Sequence, residues 1–560
     1  MANTNASKRT AREGCSRIAT ARMRRGRFHA CAFAAVALAC GATSADAVTV
    51  CSASDVTQND PGCPPGAGAC TITRVFDVGD GCVLDFTGRP VTVAGSATLN
   101  VGTVFGLRGA SVAFAPGSLV DGRADAAGGH GSVVIVQSPG PVAVQGIGTA
   151  RARIDVSAGG TAGAVAIEAG GPVTIAGRML SDRTTAAANG GTIGVASDAT
   201  VSVTSSAEIS ATGGPDGTGG TVSLSAGGGV DVLAGIDVTG GDGGVVAVDA
   251  GGDVAVARIL ANATGDIGNG GTVTVRGAGD VALSDIVRAN GSPANDGFLG
   301  GDGGTITAEA LGGDLTVTGA LAAEAAAPDG TGGTMSLVAA GLVTSHTAAP
   351  LSVRGNGGDS SGGEATVTAG SDAQLGANVD ASGGDDGGSI EVTAGGDAIA
   401  GGRLDASARD AGGFGGAVNI VAGTESAGEI TLANSVDASG GGCSVADGCG
   451  SAGTVDLGGC DVTVTATAQV LARADWAGFI TGVARELLTV LGPMNASRTT
   501  GSGTDGLVDL SHPTRRPPQI AAGKVTPPAP PTGLPTCSAG GETGCLVPCV
   551  TCGPPGAGCC

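Results

Sequence analysis

The sequence predicts an all-β protein, a right-handed single-stranded parallel β-helix of roughly 15 coils. Three observations carry that prediction. Glycine makes up 107 of the 560 residues, and it falls at turns rather than in a Gly-X-Y period, which excludes collagen. Short runs rich in Val, Ile and Thr restart after paired glycines with a mean period of about 29 residues from Gly131 to Gly506. The chain has no Tyr, one Trp and nine Phe. Its apolar side chains are therefore mainly Ala, Val, Ile and Leu, which suit a narrow core and not a wide globular one.

The N-terminal residues 1–47 read as an export signal. Basic residues, including Arg22, Arg24, Arg25 and Arg27, precede an apolar stretch from Ala30 to Ala39 that is too short to span a bilayer. Ala45-Asp46-Ala47 offers a small-x-small site with cleavage after Ala47. An alternative is lipidation at Cys40, where Leu38-Ala39-Cys40-Gly41 loosely matches a lipoprotein cleavage site. The expected location is secreted or on the outer surface of a bacterial cell, or lipid-anchored in the outer membrane through Cys40. No integral membrane segment is expected once the signal is removed.

The formal charge of the chain is −22. Residues 1–47 hold eight of the basic and two of the acidic residues, so the remainder carries −28. An acidic surface of that size disfavours nucleic acid and anionic membranes as partners.

An exported chain oxidises its cysteines. Outside the signal they form three groups. Cys51, Cys63, Cys70 and Cys82 lie in an N-terminal cap with irregular first coils (48–130), and they allow two bridges in three possible pairings. Cys443, Cys449 and Cys460 lie late in the repeats. Cys537, Cys545, Cys549, Cys552, Cys559 and Cys560 lie in a tail (537–560). Cys549-x-x-Cys552 has the spacing of a zinc or redox motif, but no His accompanies it and an oxidising compartment favours a disulfide.

The repeat domain spans 131–512. Each coil reads as three strands. The first follows the restart glycines, as in T-V-T-V after Gly271 and S-I-E-V after Gly388, and alternates apolar and polar residues at period two. The second follows a Gly-Asp turn, as in D-V-A-V from Asp253, D-V-A-L from Asp280 and D-L-T-V from Asp314. The third has the form apolar-Asp-small-Ser/Thr: I-D-V-S from Ile154, I-D-V-T from Ile236, V-D-A-S from Val379, L-D-A-S from Leu404 and V-D-A-S from Val436. Strands of one kind stack into three parallel sheets around one core. Val470 to Met494 contains A-R-E-L-L-T-V-L, which suits a helix, but Gly478 restarts a run there and a further coil is expected. Residues 513–536 are Pro-rich and read as a semi-rigid linker.

At these G-G-T-[IV] restarts and [VIL]-D-[AV]-[ST] strands the chain resembles bacterial exported, Gly-rich right-handed parallel β-helix proteins such as haemagglutinin-type adhesins and autotransporter passengers. The resemblance implies a cell-surface or secreted scaffold, adhesin-like and without catalysis, with polysaccharide or another cell surface as its partner. It covers the repeat body. No C-terminal β-barrel strands are recognised, and the N-terminal signals of two-partner-secreted adhesins are missing.

The third strands place Asp380, Asp405 and Asp437 at the same point of consecutive coils, about 5 Å apart. Read blandly, they are a solvated acidic ladder. Read as a site, they could bind calcium, or serve as the acids of a carbohydrate-active enzyme, a polysaccharide hydrolase or lyase, since retaining glycosidases hold two carboxyls about that far apart. Against catalysis, Trp476 is the only Trp and no column of basic residues is evident beside the acids. No other cofactor is implied. The aspartates Asp253, Asp280 and Asp314 read as turn caps. His130, His346 and His512 fall in separate repeats without a nucleophile near them.

Overall fold

The computed structural model describes residues 47–534, apart from 67, 125–127, 184, 295–298, 425–426, 444–448, 500–502, 514 and 529–531. The export signal with Cys40, and the tail with Cys537, Cys545, Cys549 and Cys552, lie outside the described residues.

The chain coils into a parallel β-solenoid of about 16 turns. Its strands join into one continuous 46-stranded sheet that winds through three faces. One coil shows the logic. Ser389–Ala394 forms the first strand, Ala398–Ala400 the second and Leu404–Asp405 the third. In the first strand Ile390, Val392 and Ala394 point inward and are buried, while the residues between them face outward. Ile390 pairs with Ala365 below and Val418 above, and Val392 with Val367 and Ile420. Each inward position thus becomes a column of aliphatic side chains along the axis. A single coil buries too little apolar surface to offset the ordering of its backbone; the stack supplies the rest.

Two devices hold the turns, one steric and one polar. At the restart, consecutive glycines lie so close that a β-carbon on Gly220 would sit 2.1 Å from the carbonyl oxygen of Gly191. Between the first and second strands, aspartates bond upward from coil to coil. Asp253 Oδ1 accepts from the backbone N–H of Asp280, Asp280 Oδ1 from that of Asp314, and Asp314 Oδ1 from that of Leu342. The three turn aspartates are therefore structural: they satisfy backbone donors that the sheet ladders leave over.

The first coils are stapled and capped. Helix Ala53–Asn59 opens with a capping box between Ser52 and Asp55 and inserts Val56 into the core. Cys51 pairs with Cys82 and Cys63 with Cys70, one of the three pairings open to the four cysteines. Asp60 is buried and accepts from the backbone of Gly62, Thr73 and Arg74 and from the Thr73 hydroxyl. The bulkiest buried rings, Phe76, Phe105 and Phe114, sit in these early coils. Further on, Cys443 pairs with Cys449, and Cys460 is also disulfide-bonded.

Two later segments bear on the sequence reading. Phe479–Val490 is a long strand and not a helix. The Pro-rich stretch expected to leave the repeats as a linker instead continues them. Gln519–Ile520 pairs with Thr489–Val490, Val525–Thr526 with Met494–Asn495, and Thr532–Leu534 with Ser511–Pro513. The prolines permit this because Pro517, Pro518, Pro527 and Pro528 fall between strands, where no ladder N–H is needed. Among the described residues no helix is long and apolar enough to cross a membrane.

Candidate functional site

The register brings the predicted acids together. Asp380 pairs with Asp405 and Asp405 with Asp437, at the ends of consecutive third strands. Asp405 is buried, and its two neighbours are half-buried.

The local sequence explains what each carboxylate does first. Asp380 Oδ1 accepts from the backbone N–H of Ser382 at 3.0 Å and from its hydroxyl. Asp405 Oδ1 accepts from the Ser407 N–H and from its hydroxyl at 2.6 Å. Asp437 Oδ1 accepts from the Ser439 N–H at 3.1 Å. The same turn recurs at Asp155 with Ser157, at Asp237 with Thr239 and at Asn495 with Ser497. The motif apolar-Asp-small-Ser/Thr is thus an Asx turn that ends the third strand and starts the outer loop.

The second oxygens of Asp405 and Asp437 meet an arginine. Arg403 Nη2 lies 2.9 Å from Asp405 Oδ2 and 3.1 Å from Asp437 Oδ2, bridging two coils. Arg409 lies 3.7 Å from Asp380 Oδ1 and donates to the Ser382 hydroxyl. The sequence reading found no basic column beside the acids, because these arginines stand at different offsets in their repeats. Burial pushes the Asp405 carboxyl above its ordinary range. The Ser407 hydrogen bond and Arg403 oppose that shift, and Asp380 and Asp437 add to it.

A second polar cluster in the same column escaped the sequence reading. Asp77, Asn100, Asp121 and Asp155 follow one another in register. Asp155 is fully buried, with Arg153 in contact and Arg123 3.7 Å away, and Arg123 also pairs with Asp121 at 2.8 Å. The recurrence of I-D-V-S at Ile154 was the available signal. Both clusters share one design, in which carboxylates set one coil rise apart are joined by arginines.

Three carboxylates that share two arginines make a poor calcium site, since a hard cation would have to displace built-in guanidinium groups. Among the described residues, three potential metal donors converge at Cys443, Cys449 and Asp475. There the two sulfurs are joined to each other, which removes them as thiolate ligands. The concavity beside Asp437 is about 320 Å³ and is lined by Arg403, Asn434, Ser435, Thr467 and Gln469. His130 and His346 are exposed, and His512 is buried with Nδ1 2.9 Å from the Pro513 carbonyl oxygen; they do not share a coil.

No protein-family model matches the chain, and no curated protein or solved structure is similar enough to match it. What fold and site define is a class: a parallel β-solenoid whose polar columns serve its own architecture.

Proposed function

We propose that this chain is an exported, non-catalytic scaffold of the adhesin type, acting through extended contact along its outer faces and loops. One observation carries the reading. In the most enzyme-like constellation of the molecule, each aspartate commits Oδ1 to its own turn, and Asp405 and Asp437 commit Oδ2 to Arg403. A glycosidase needs one carboxyl free to protonate the leaving oxygen and another free to attack or to activate water. The export signal expected in residues 1–47 and the acidic, soluble surface agree with a secreted or surface role.

A carbohydrate-active enzyme on the same fold is the competing reading. It is favoured by the upward shift of the Asp405 carboxyl, the direction a general acid requires. The two separate in a polysaccharide panel assayed for reducing ends and unsaturated products, with and without calcium, beside fractionation of the producing cells. The scaffold reading expects surface or secreted protein and no turnover. Turnover that disappears in Asp405→Asn overturns it.

A further inference from the structure

The outer corner where each coil restarts obeys a rule through most of the solenoid. Two residues before the restart glycine stands a polar side chain, exposed in most coils and half-buried at Ser361 and Asp386. Coil after coil these are Thr218, Asp242, Asn269, Asp302, Thr331, Ser361 and Asp386. They form a ladder, since the residue after each one donates its N–H to the carbonyl oxygen of the next, as Gly332 does to Ser361 and Gly362 to Asp386. The next residues in this ladder are Phe414, Ser451, Trp476 and Thr504, joined by the N–H groups of Gly387, Gly415, Ala452 and Ala477. Two polar positions have therefore become large aromatics, and they are 54% and 51% exposed.

A second column changes in the same coils. The outward residue that opens the first strand is apolar and 42% exposed at Val245, and small or polar from Thr272 through Glu364 and Ala417 to Thr454. It then becomes Phe479, paired with Leu507 in the next coil, 55% and 47% exposed. All the other Phe residues whose side chains are described, Phe76, Phe86, Phe105 and Phe114, are buried. In a chain of 2% aromatic residues, every exposed aromatic ring among the described residues lies at this one corner. Exposing them has no benefit for the fold, and local departures from a repeat's own rule mark functional positions.

We propose that this corner, built on Phe414, Trp476 and Phe479, binds a neutral polysaccharide laid along the solenoid axis. The inference deepens the adhesin reading by naming its ligand class, and it rests on that reading. The chemistry follows from the rings. The C–H face of a pyranose presents weakly positive hydrogens to the negative face of an aromatic ring, and it buries apolar area without charge. Phe414 and Trp476 stand two coils apart, about 9–10 Å along the axis. One sugar ring covers one platform, so occupying both requires a chain. Ser451 between them and Thr504 beyond offer hydroxyls to the sugar's own. The charge of −28 outside residues 1–47 repels acidic polymers and a second copy of this chain, and the uncharged rings suit an uncharged polymer as the occupant.

Trp476 is the only tryptophan, so its fluorescence reports the site directly. The full chain is titrated with glucose, cellohexaose and chitohexaose and sedimented with microcrystalline cellulose and chitin, with polygalacturonate as an acidic control. The expected result is a shift in Trp476 emission with a hexasaccharide but not with glucose. Trp476→Ala is expected to lose about tenfold in affinity on the solid polymers. Phe414→Ala should weaken hexasaccharide binding, and Trp476→Phe should keep most of it. Unchanged circular dichroism and melting in these exposed-site variants separate lost binding from lost fold. The proposal is overturned if none of the neutral probes binds, if Trp476→Ala binds them as wild type does, or if the patch joins two copies, seen as a dimer that Trp476→Ala dissociates. Absent binding from a surface-located, inert protein would defeat this inference and leave the scaffold reading standing.

Discussion

A β-carbon placed on Gly388 would lie 2.0 Å from the carbonyl oxygen of Gly363 in the coil below. The clashing atom is backbone, held in the ladder by the neighbouring coils, and cannot swing aside. Gly388→Ala should therefore push two coils apart and cost about 2–3 kcal/mol. Gly194 provides the control. It lies within the strand Thr192–Ser197, and its added methyl would meet nothing closer than 4.0 Å. Gly194→Ala should be neutral or slightly stabilising. Thermal melting ranks the two variants, and hydrogen exchange should show the loss concentrated in the coils flanking Gly388, because repeats unfold as neighbours.

The cap depends on its cross-links. Cys51 and Cys82 are 31 residues apart, and opening that loop in the unfolded chain costs about 3–4 kcal/mol of stability. Cys51→Ala with Cys82→Ala should release the first coils to proteolysis while the repeats beyond stay folded. Limited proteolysis followed by mass spectrometry checks this. Equal protection of the N-terminal coils in the variant would contradict it.

The turn ladder depends on an acceptor and not on charge. Asp280 both receives and gives, its N–H bonded to Asp253 and its Oδ1 to the N–H of Asp314. Asp280→Asn keeps the acceptor and should be nearly silent. Asp280→Ala should cost about 1 kcal/mol, because the Asp314 N–H loses its partner at a partly solvated turn. Melting of both variants at neutral pH decides. Equal destabilisation by Asn and Ala would show that charge matters instead.

The coils were legible from period, composition and turn residues because each repeat states the same local rule many times. Val, Ile and Thr at alternate positions, Gly-Gly at the restart and Asp at the turn all point to one structure. The site was legible only in part. That Asp380, Asp405 and Asp437 share a column follows from alignment of the repeats. Their partners do not, since Arg403 precedes its strand and Arg409 follows it, and only the fold brings both to the acids. The Pro-rich stretch misled for a similar reason: proline reports on its own backbone, and strands as short as Val525–Thr526 carry too little pattern to read. The aromatic corner was invisible in a linear reading, since Phe414 and Trp476 are 62 positions apart and fall two rungs apart in one ladder only once the coils are in register.

Arg403 holds two carboxylates one coil apart, so its removal should make stability depend more strongly on pH. In the wild type the Asp405 carboxyl titrates above its ordinary value, chiefly because it is buried. The folded state therefore holds that proton more tightly than the unfolded chain. The stability this provides is fully present below the ordinary carboxylate range and is lost as pH rises through the folded value. Arg403→Gln removes the one cation shared by Asp405 and Asp437, which raises the Asp405 carboxyl further and widens that window upward. The variant should be destabilised by about 1 kcal/mol at pH 7, a modest figure because the Arg403 side chain is itself half-exposed, and by much less near pH 4. Asp405→Asn keeps the Asx turn and abolishes the titration, so it should flatten the pH profile and remove most of the penalty of Arg403→Gln in the double variant. Denaturant midpoints for the four proteins between pH 4 and 8 test this. A pH-independent loss in Arg403→Gln would mean that the arginine acts through packing and not through its charge.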